Sequence, residues 1–341
     1  MLMTKKEEKI IKIAINGFGR IGRLVYRLME EDNYFDVVAI NDLSTPEELA
    51  YLLKYDTNHR NYDKEITYDE ENIIIEGKKV RVYKEIDPTN LPWKELDIDA
   101  VFECTGKFVE KDKAMAHINA GAKKVIISAP AKGDVKTIVY NVNENTLDGS
   151  EQIISAASCT TNCLAPVLNV IEKNIGITKG YMTTVHAYTN DQVILDVAHK
   201  KGIKARRGRA GAINIIPSST GAASAIGLVI PSLKGKMDGS SLRVPVPTGS
   251  VIDLTLELKR NVTVDELNKL FYDNQNETLK YTTDPIVSSD IIGSHVGALV
   301  DGLLTKTLDV DGKQLVKIVA WYDNEMGYSA QMVRTAKYLM K

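Results

Sequence analysis

The hexapeptide Gly17-Phe18-Gly19-Arg20-Ile21-Gly22 constrains the fold of this chain more than any other feature. Small residues at its first, third and sixth positions let a backbone turn sharply and approach a pyrophosphate at a helix N-terminus. Alone, this pattern is weak evidence; its surroundings strengthen it. An apolar run over 10–16 predicts a strand before it, 23–31 predicts a helix after it, and 36–40 predicts a second strand ending at Asn41-Asp42. That is a βαβ opening. Asp42 lies twenty residues beyond Gly22, where a carboxylate can accept hydrogen bonds from ribose hydroxyls. The same carboxylate opposes the 2′-phosphate of NADP by charge repulsion, so NAD is the expected cofactor.

The alternation continues with strands at 100–104 and 124–127 and, between them, a helix over 110–120 ending at Gly121, a good C-cap residue. Segments 65–68, 73–76 and 79–83, with Gly77 before the last, have period-two patterning and predict a hairpin-like insertion at a sheet edge. After Ser158 the character changes. Runs rich in β-branched and aliphatic residues at 181–188, 242–246, 251–258, 303–310 and 315–322 predict a second, largely antiparallel sheet. Helices are expected at 161–173, 221–230 and 264–272, where Thr263 and Glu266 have capping-box spacing, and at 328–340. The fold class is therefore α/β: a Rossmann-type NAD-binding domain over 1–158 and an α+β catalytic and substrate-binding domain over 159–327, with helix 328–341 packing back on the first. A length of 341 residues also implies two domains, at roughly 100–200 residues each. No internal repeat or Pro/Gly/Ser linker separates them.

Charge excludes several partners. With 43 Lys+Arg against 45 Asp+Glu, a formal net charge of -2 exerts no global pull on nucleic acid or anionic lipid. Three cysteines, Cys104, Cys159 and Cys163, are an odd, sparse set that suits a reducing compartment. The start carries Lys5, Lys6, Glu7, Glu8 and Lys9, and the apolar stretch after it is interrupted by Lys12, so no signal peptide is expected. Nowhere do roughly 18 apolar residues run together, as a membrane-spanning helix needs. A cytoplasmic protein without a membrane partner is expected.

Ser158-Cys159-Thr160-Thr161-Asn162-Cys163 follows a strand-like 153–156 and precedes an apolar helical run, which puts Cys159 at a helix N-terminus. That location favours a thiolate, because the helix field and a neighbouring imidazole both lower a thiol pKa from its usual value near 8.5. Cys163, one turn on, and Cys104 read more simply as core. His186, near the end of strand 181–188, is the histidine best placed to meet Cys159, since both end strands that can share one sheet face. His59, His117, His199 and His295 have no comparable setting, no residue set has metal-ligand spacing, and Asp309-Val310-Asp311-Gly312 reads as a hairpin turn rather than a calcium loop. Lys200–Arg209 holds Lys200, Lys201, Lys204, Arg206, Arg207 and Arg209, and Pro217–Ala223 reads as a helix start. Backbone N–H groups near Thr220 and Gly221, with Arg207 and Arg243, suit a phosphate. Lys200, Lys201 and Lys204 read as a solvated loop.

Five segments together resemble phosphorylating glyceraldehyde-3-phosphate dehydrogenase: 16–23 (NGFGRIGR), 157–166 (ASCTTNCLAP), 183–192 (TTVHAYTNDQ), 216–223 (IPSSTGAA) and 321–327 (WYDNEMG). The resemblance implies that Cys159 attacks the aldehyde of glyceraldehyde 3-phosphate, that His186 takes the proton as hydride passes to NAD, and that inorganic phosphate cleaves the resulting thioester to 1,3-bisphosphoglycerate. Backbone N–H of Cys159 together with His186 would stabilise the oxyanion. It further implies that Thr189 and Arg243 hold the substrate phosphate, and that Ser158, Thr160, Thr220, Gly221 and Arg207 line the site of the attacking phosphate. Gly17, Gly19, Arg20, Ile21, Gly22 and Asp42 would hold the dinucleotide, Ser128 would lie along it, and Asn324 would hold its carboxamide. The family implies a homotetramer in which the loop around 197–209 contacts a neighbour's cofactor site. Three departures bear on cofactor preference: Val197-Ala198 stands where many NAD-specific members have Leu-Pro, 201–205 is longer than usual, and Ile86 replaces a frequent Arg. Two other readings compete, a sister enzyme acting on erythrose 4-phosphate and an NAD- or RNA-binding protein using the basic run.

Overall fold

The computed structural model describes residues 10–200 and 202–341; the charged start at 1–9 and Lys201 lie outside the described residues. The chain divides into two compact units, one reaching to Thr137 and including Thr146–Ala157 and Met332–Lys341, the other made of Ile138–Asn145 and Ser158–Gln331. The sequence suggested a cut after 158 with helix 328–341 returning to the first domain; the structure groups Ile138–Asn145 with the second unit and Met332–Lys341 with the first.

In the first unit, β1 (Ile11–Asn16), α1 (Arg20–Glu30) and β2 (Phe35–Asn41) form the opening βαβ. Then come α2 (Pro46–Lys54), β3 (Ile66–Tyr68), β4 (Asn72–Ile75), β5 (Lys78–Tyr83), β6 (Ala100–Glu103), α3 (Lys111–Asn119), β7 (Lys124–Ile127), β8 (Lys136–Thr137) and β9 (Ile153–Ser155). These strands make one sheet in the order β3-β4-β5-β2-β1-β6-β7-β9-β8. Apart from the antiparallel β3-β4-β5 edge, which is the expected insertion, the pairs are parallel. The chain builds outward from β1 to β2 on one side and to β6 on the other. That reversal opens a crevice at the carboxyl ends of β1 and β6, the place where such sheets bind ligands. On β1 and α1, Ile13, Ile15, Leu24 and Val25 are fully buried, each stabilising the unit by about 1.5–3 kcal/mol.

Helix α1 starts three residues earlier than expected, so Gly22 lies inside it. Close packing requires a glycine there: a Cβ on Gly22 would sit 2.2 Å from the Gly17 carbonyl oxygen. Helix α2 was not anticipated, although Thr45 and Glu48 form a complete capping box with Pro46 in the first turn.

The second unit holds α4 (Cys159–Asn174), β10 (Ile177–Ala187), β11 (Ile216–Ser219), α5 (Ala222–Val229), β12 (Met237–Val244), β13 (Ser250–Leu258), α6 (Val264–Asp273), β14 (Leu279–Thr282), β15 (Ala298–Asp301), β16 (Lys306–Val310) and β17 (Lys313–Tyr322). The sheet order is β11-β12-β10-β13-β17-β15-β14, with β16 also on β17, and only β10-β12 and β14-β15 are parallel. Helix α7 (Met326–Leu339) follows. Three expectations change. Residues 302–304 form a 3-10 turn capped by Asp301, whose carboxylate accepts from Leu303 N, so the strand expected over 303–310 begins at Lys306. Residues 216–219 are strand β11, and the helix starts only at Ala222. Thr263 caps α6 by accepting from Glu266 N, but the Glu266 carboxylate pairs with Arg260, which leaves half a capping box. The 309–312 segment is a hairpin turn, with Asp311 and Gly312 both at positive φ. Among the described residues no helix is long and apolar enough to cross a membrane.

Candidate active site

Helix α4 begins at Cys159, with Ser158 as its cap: the Ser158 hydroxyl accepts from Thr161 N at 3.1 Å. β10 brings His186 beside that helix start, and Cys159 Sγ lies 3.3 Å from His186 Nε2. The other imidazole nitrogen has two neighbours. His186 Nδ1 lies 2.7 Å from the Ala187 carbonyl oxygen, which can only accept, and 2.9 Å from an Arg243 guanidinium nitrogen, which can only donate, so the two favour opposite tautomers. Arg243, which faces His186 in register on parallel strand β12, donates from one guanidinium nitrogen to the Ala187 carbonyl at 3.0 Å and the Thr189 hydroxyl at 3.1 Å.

Tyr322 completes the surround and was not singled out from sequence. Its buried hydroxyl bonds to Thr160 Oγ1 at 2.9 Å and Thr184 Oγ1 at 2.8 Å, while its ring meets His186 edge-on at 6.0 Å. A tyrosine at the end of an apolar strand gives no sequence signal of this contact.

Electrostatics correct the expectation of a ready thiolate. Burial pushes the Cys159 thiol above its ordinary value, and the Arg243 charge and the backbone donors at the start of α4 oppose that push without reversing it. Burial and then the Arg243 charge lower His186 to about 3. The pair therefore rests as S–H against a neutral imidazole, because a low-dielectric pocket penalises both charges. Cys163 is fully buried and its thiol is pushed well up, first by burial, as a core residue should be. Cys104 is half-buried at the end of β6, also pushed up, first by burial and then by Glu103.

Asp191 ties the surrounding cations together. Its carboxylate accepts from Thr189 and pairs with Arg207, whose Nε also donates to Ser218 Oγ at 3.2 Å. Arg207 and Ser218 line a cavity of about 350 Å³ with Lys204, Arg206, Pro217 and Ser219. One chain of contacts thus joins Cys159, His186, Arg243, Thr189, Asp191, Arg207 and Ser218. Three expected residues are engaged elsewhere: Thr160 holds Tyr322, Ser158 caps α4, and Thr220 Oγ1 accepts from Ala222 N beside Gly221, the cap of α5. Asn324 is buried, with Oδ1 accepting from Ser250 Oγ at 2.8 Å, so its amide nitrogen is the end left to donate. Of the basic run, Lys200 and Lys204 are exposed, as a solvated loop requires.

In the first unit, Gly17 turns at φ +91°, and a Cβ there would meet Thr105 N at 2.8 Å. Gly19 caps α1 without a side-chain bond, no acidic residue occupies the first turn, and a Cβ on Gly19 would meet nothing within 4 Å. The helix start, with Ile21 and Gly22 in its first turn, therefore has no side-chain cap and open space beside Gly19, which fits a pyrophosphate. Asp42, just past β2, accepts from Phe18 N at 2.8 Å and Ser44 N at 3.0 Å, so it stands beside the same turn. The Arg20 guanidinium grips Asp56 at 2.6 and 3.1 Å. Ser128 N donates to the Glu103 carbonyl at 3.0 Å, next to the end of β6. These residues fit a dinucleotide.

Comparison with known proteins gives the family. Residues 11–111 match the family model described as glyceraldehyde 3-phosphate dehydrogenase, NAD binding domain, and residues 158–324 match the one described as glyceraldehyde 3-phosphate dehydrogenase, C-terminal domain. Glyceraldehyde-3-phosphate dehydrogenases of Clostridium pasteurianum and Clostridium acetobutylicum are 58% and 56% identical to it over 330 residues, 97% of this chain and 98% of theirs. That of Streptococcus pyogenes is 53% identical over 333 residues, 97% of this chain and 99% of its own. Matched in both segments and along nearly its whole length, the chain belongs to the glyceraldehyde-3-phosphate dehydrogenase family, with NAD as its cofactor.

Proposed function

We propose that this chain oxidises D-glyceraldehyde 3-phosphate with NAD and inorganic phosphate to 1,3-bisphosphoglycerate, the glycolytic reaction, through a thioester on Cys159. The observation that carries this reading is the 3.3 Å approach of Cys159 Sγ to His186 Nε2. Sγ bonds to the aldehyde carbon while its proton passes by way of Nε2 to the carbonyl oxygen, giving a hemithioacetal. Nε2 then takes the hydroxyl proton as the carbon is oxidised to a thioester. Bound NAD supplies the hydride acceptor. A phosphate oxygen next attacks the thioester carbon, the C–S bond breaks, and the imidazolium returns its proton to the departing sulfur. Backbone N–H groups at the start of α4, that of Cys159 among them, and the protonated imidazole stabilise the transient oxyanion.

Arg243 and Thr189 would bind the substrate phosphate: Arg243 Nε is buried without a hydrogen-bond partner, an unmet cationic donor beside the Thr189 hydroxyl. Arg207, with Ser158, Thr160, Thr220 and Gly221, would serve the attacking phosphate, a role supported by the cationic cavity beside Ser218. Gly17, Gly19, Arg20, Ile21, Gly22, Asp42 and Ser128 would hold the dinucleotide and Asn324 its carboxamide, with residues 1–158 as the NAD-binding domain, 159–327 as the catalytic domain and helix 328–341 returning to the first. A homotetramer is proposed on the exposed aliphatic side chains of one loop, where Ile194, Ile203 and Ile213 are 80% exposed or more. Three free thiols support a cytoplasmic location. The test is NADH formation that needs both the aldehyde and phosphate, with arsenate substituting, and that Cys159→Ser abolishes; turnover by that variant refutes the proposal.

A further inference from the structure

The mechanism leaves unused a buried polar row in the first unit, directly beneath the dinucleotide turn. Asn41, Asn16 and Glu103 are register partners at the carboxyl ends of β2, β1 and β6. Their side chains join across the strands: Asn41 Nδ2 donates to Asn16 Oδ1 at 2.7 Å, and Asn16 Nδ2 donates to Glu103 Oε2 at 2.5 Å. All three are buried. The backbone repeats the connection, with Gly17 N donating to the Asn41 carbonyl and Cys104 N to the Asn16 carbonyl.

Every partner of the Glu103 carboxylate is a donor. Oε2 receives Asn16 and His117 Nε2, the latter at 3.1 Å, and Oε1 receives the Thr105 backbone N–H at 2.8 Å and the Thr105 hydroxyl. Trp93 Nε1 donates to His117 Nδ1 at 3.1 Å, so Nδ1 must accept and Nε2 carries the hydrogen aimed at Glu103. Four donors match the acceptor positions of a carboxylate. The result is a fully satisfied buried network whose members restrain one another.

We propose that Glu103 is a positioning residue for the cofactor: it holds Thr105 against Gly17 and fixes the ends of β1, β2 and β6, so that the glycine turn is set before a dinucleotide arrives. Gly17 has no room for a Cβ because Thr105 N and Cγ2 stand 2.8 and 2.9 Å from where it would be. Any slackening of Thr105 is therefore felt at the turn itself. The strand ends flank the crevice at the topological reversal, where a small displacement costs binding energy. The proposal rests on NAD being bound at this turn.

Glu103→Gln isolates the effect. A carboxamide has the carboxylate's shape, yet its NH2 faces a donor whichever way it turns, toward Thr105 or toward Asn16 and His117. Isothermal titration with NAD and with ADP-ribose, which lacks the nicotinamide, should show both dissociation constants raised by the same factor, roughly tenfold or more. KM for NAD should rise with kcat nearly unchanged, and iodoacetamide should alkylate Cys159 in the NAD-free variant at the unaltered rate. Thr105→Val, which removes the hydroxyl donor to Glu103 together with the acceptor of Lys107 N and keeps the backbone bond to Glu103, should weaken both ligands by roughly threefold to tenfold, and it decides the matter if Glu103→Gln does not fold. A lower melting temperature with unchanged dissociation constants would overturn the proposal by reducing the row to a structural role. Failure of the unaltered chain to bind NAD would instead remove the cofactor reading on which it stands.

Discussion

His186 makes acid stability a direct report on the active-site pocket. Burial and Arg243 lower this imidazole from its ordinary 6.5 to about 3, so between those values the unfolded chain holds a proton that the native chain refuses. The sign follows: the unfolded state binds more protons, so the group's contribution is intact above about pH 6.5 and drains away as pH falls toward 3. At about 1.4 kcal/mol per unit, the loss at roughly pH 5 is about 2 kcal/mol. His186→Asn has no such group. Urea unfolding, followed by circular dichroism and fluorescence at one protein concentration, should show the unaltered chain losing about 2 kcal/mol more than the variant between pH 7.5 and 5. Equal losses, or a larger loss in the variant, would refute the buried neutral imidazole. Nitrogen-15 spectra of labelled histidine should agree, with His186 neutral at pH 6.

Two further outcomes follow from the geometry. Arg243→Leu should raise KM for the aldehyde substrate by roughly tenfold to a hundredfold, the worth of about 1.5–3 kcal/mol for a charged hydrogen bond; it should also slow iodoacetamide alkylation of Cys159, because the charge that opposes the burial penalty on the thiol is gone. Steady-state kinetics and alkylation at several pH values check both, and an alkylation rate that rises would count against the account. Asp42→Asn should improve kcat/KM with NADP relative to NAD by roughly tenfold or more, since juxtaposed like charges cost several kcal/mol; an unchanged ratio would show that Asp42 does not set the preference.

What was legible in the sequence was local. The strand, glycine turn, helix and strand of the opening βαβ follow from neighbouring residues and steric need, and Gly17 and Gly22 have the crowded surroundings that such a turn requires. Cys159 at the first turn of α4 is equally local, fixed by the Ser158 cap. Helix α2 was also written there, in Thr45, Pro46 and Glu48, but its mixed face hid the signal. Charge states were not legible. The Cys159 thiol and His186 imidazole depend on how much water the fold removes and on where β12 places Arg243, and neither is a property of a segment. The same holds for Tyr322 and for His117, whose partners lie far along the chain, at Thr160 and Thr184 and at Glu103 and Trp93.

The most direct measurement leaves out phosphate. Incubating the protein with glyceraldehyde 3-phosphate and NAD, quenching in acid and mapping peptides by mass spectrometry should find a 3-phosphoglyceroyl group on Cys159, formed together with a burst of NADH and released when phosphate is restored. NADH produced without any acyl group on Cys159, or with the group on Cys104 or Cys163, would contradict the assignment of that sulfur as the nucleophile.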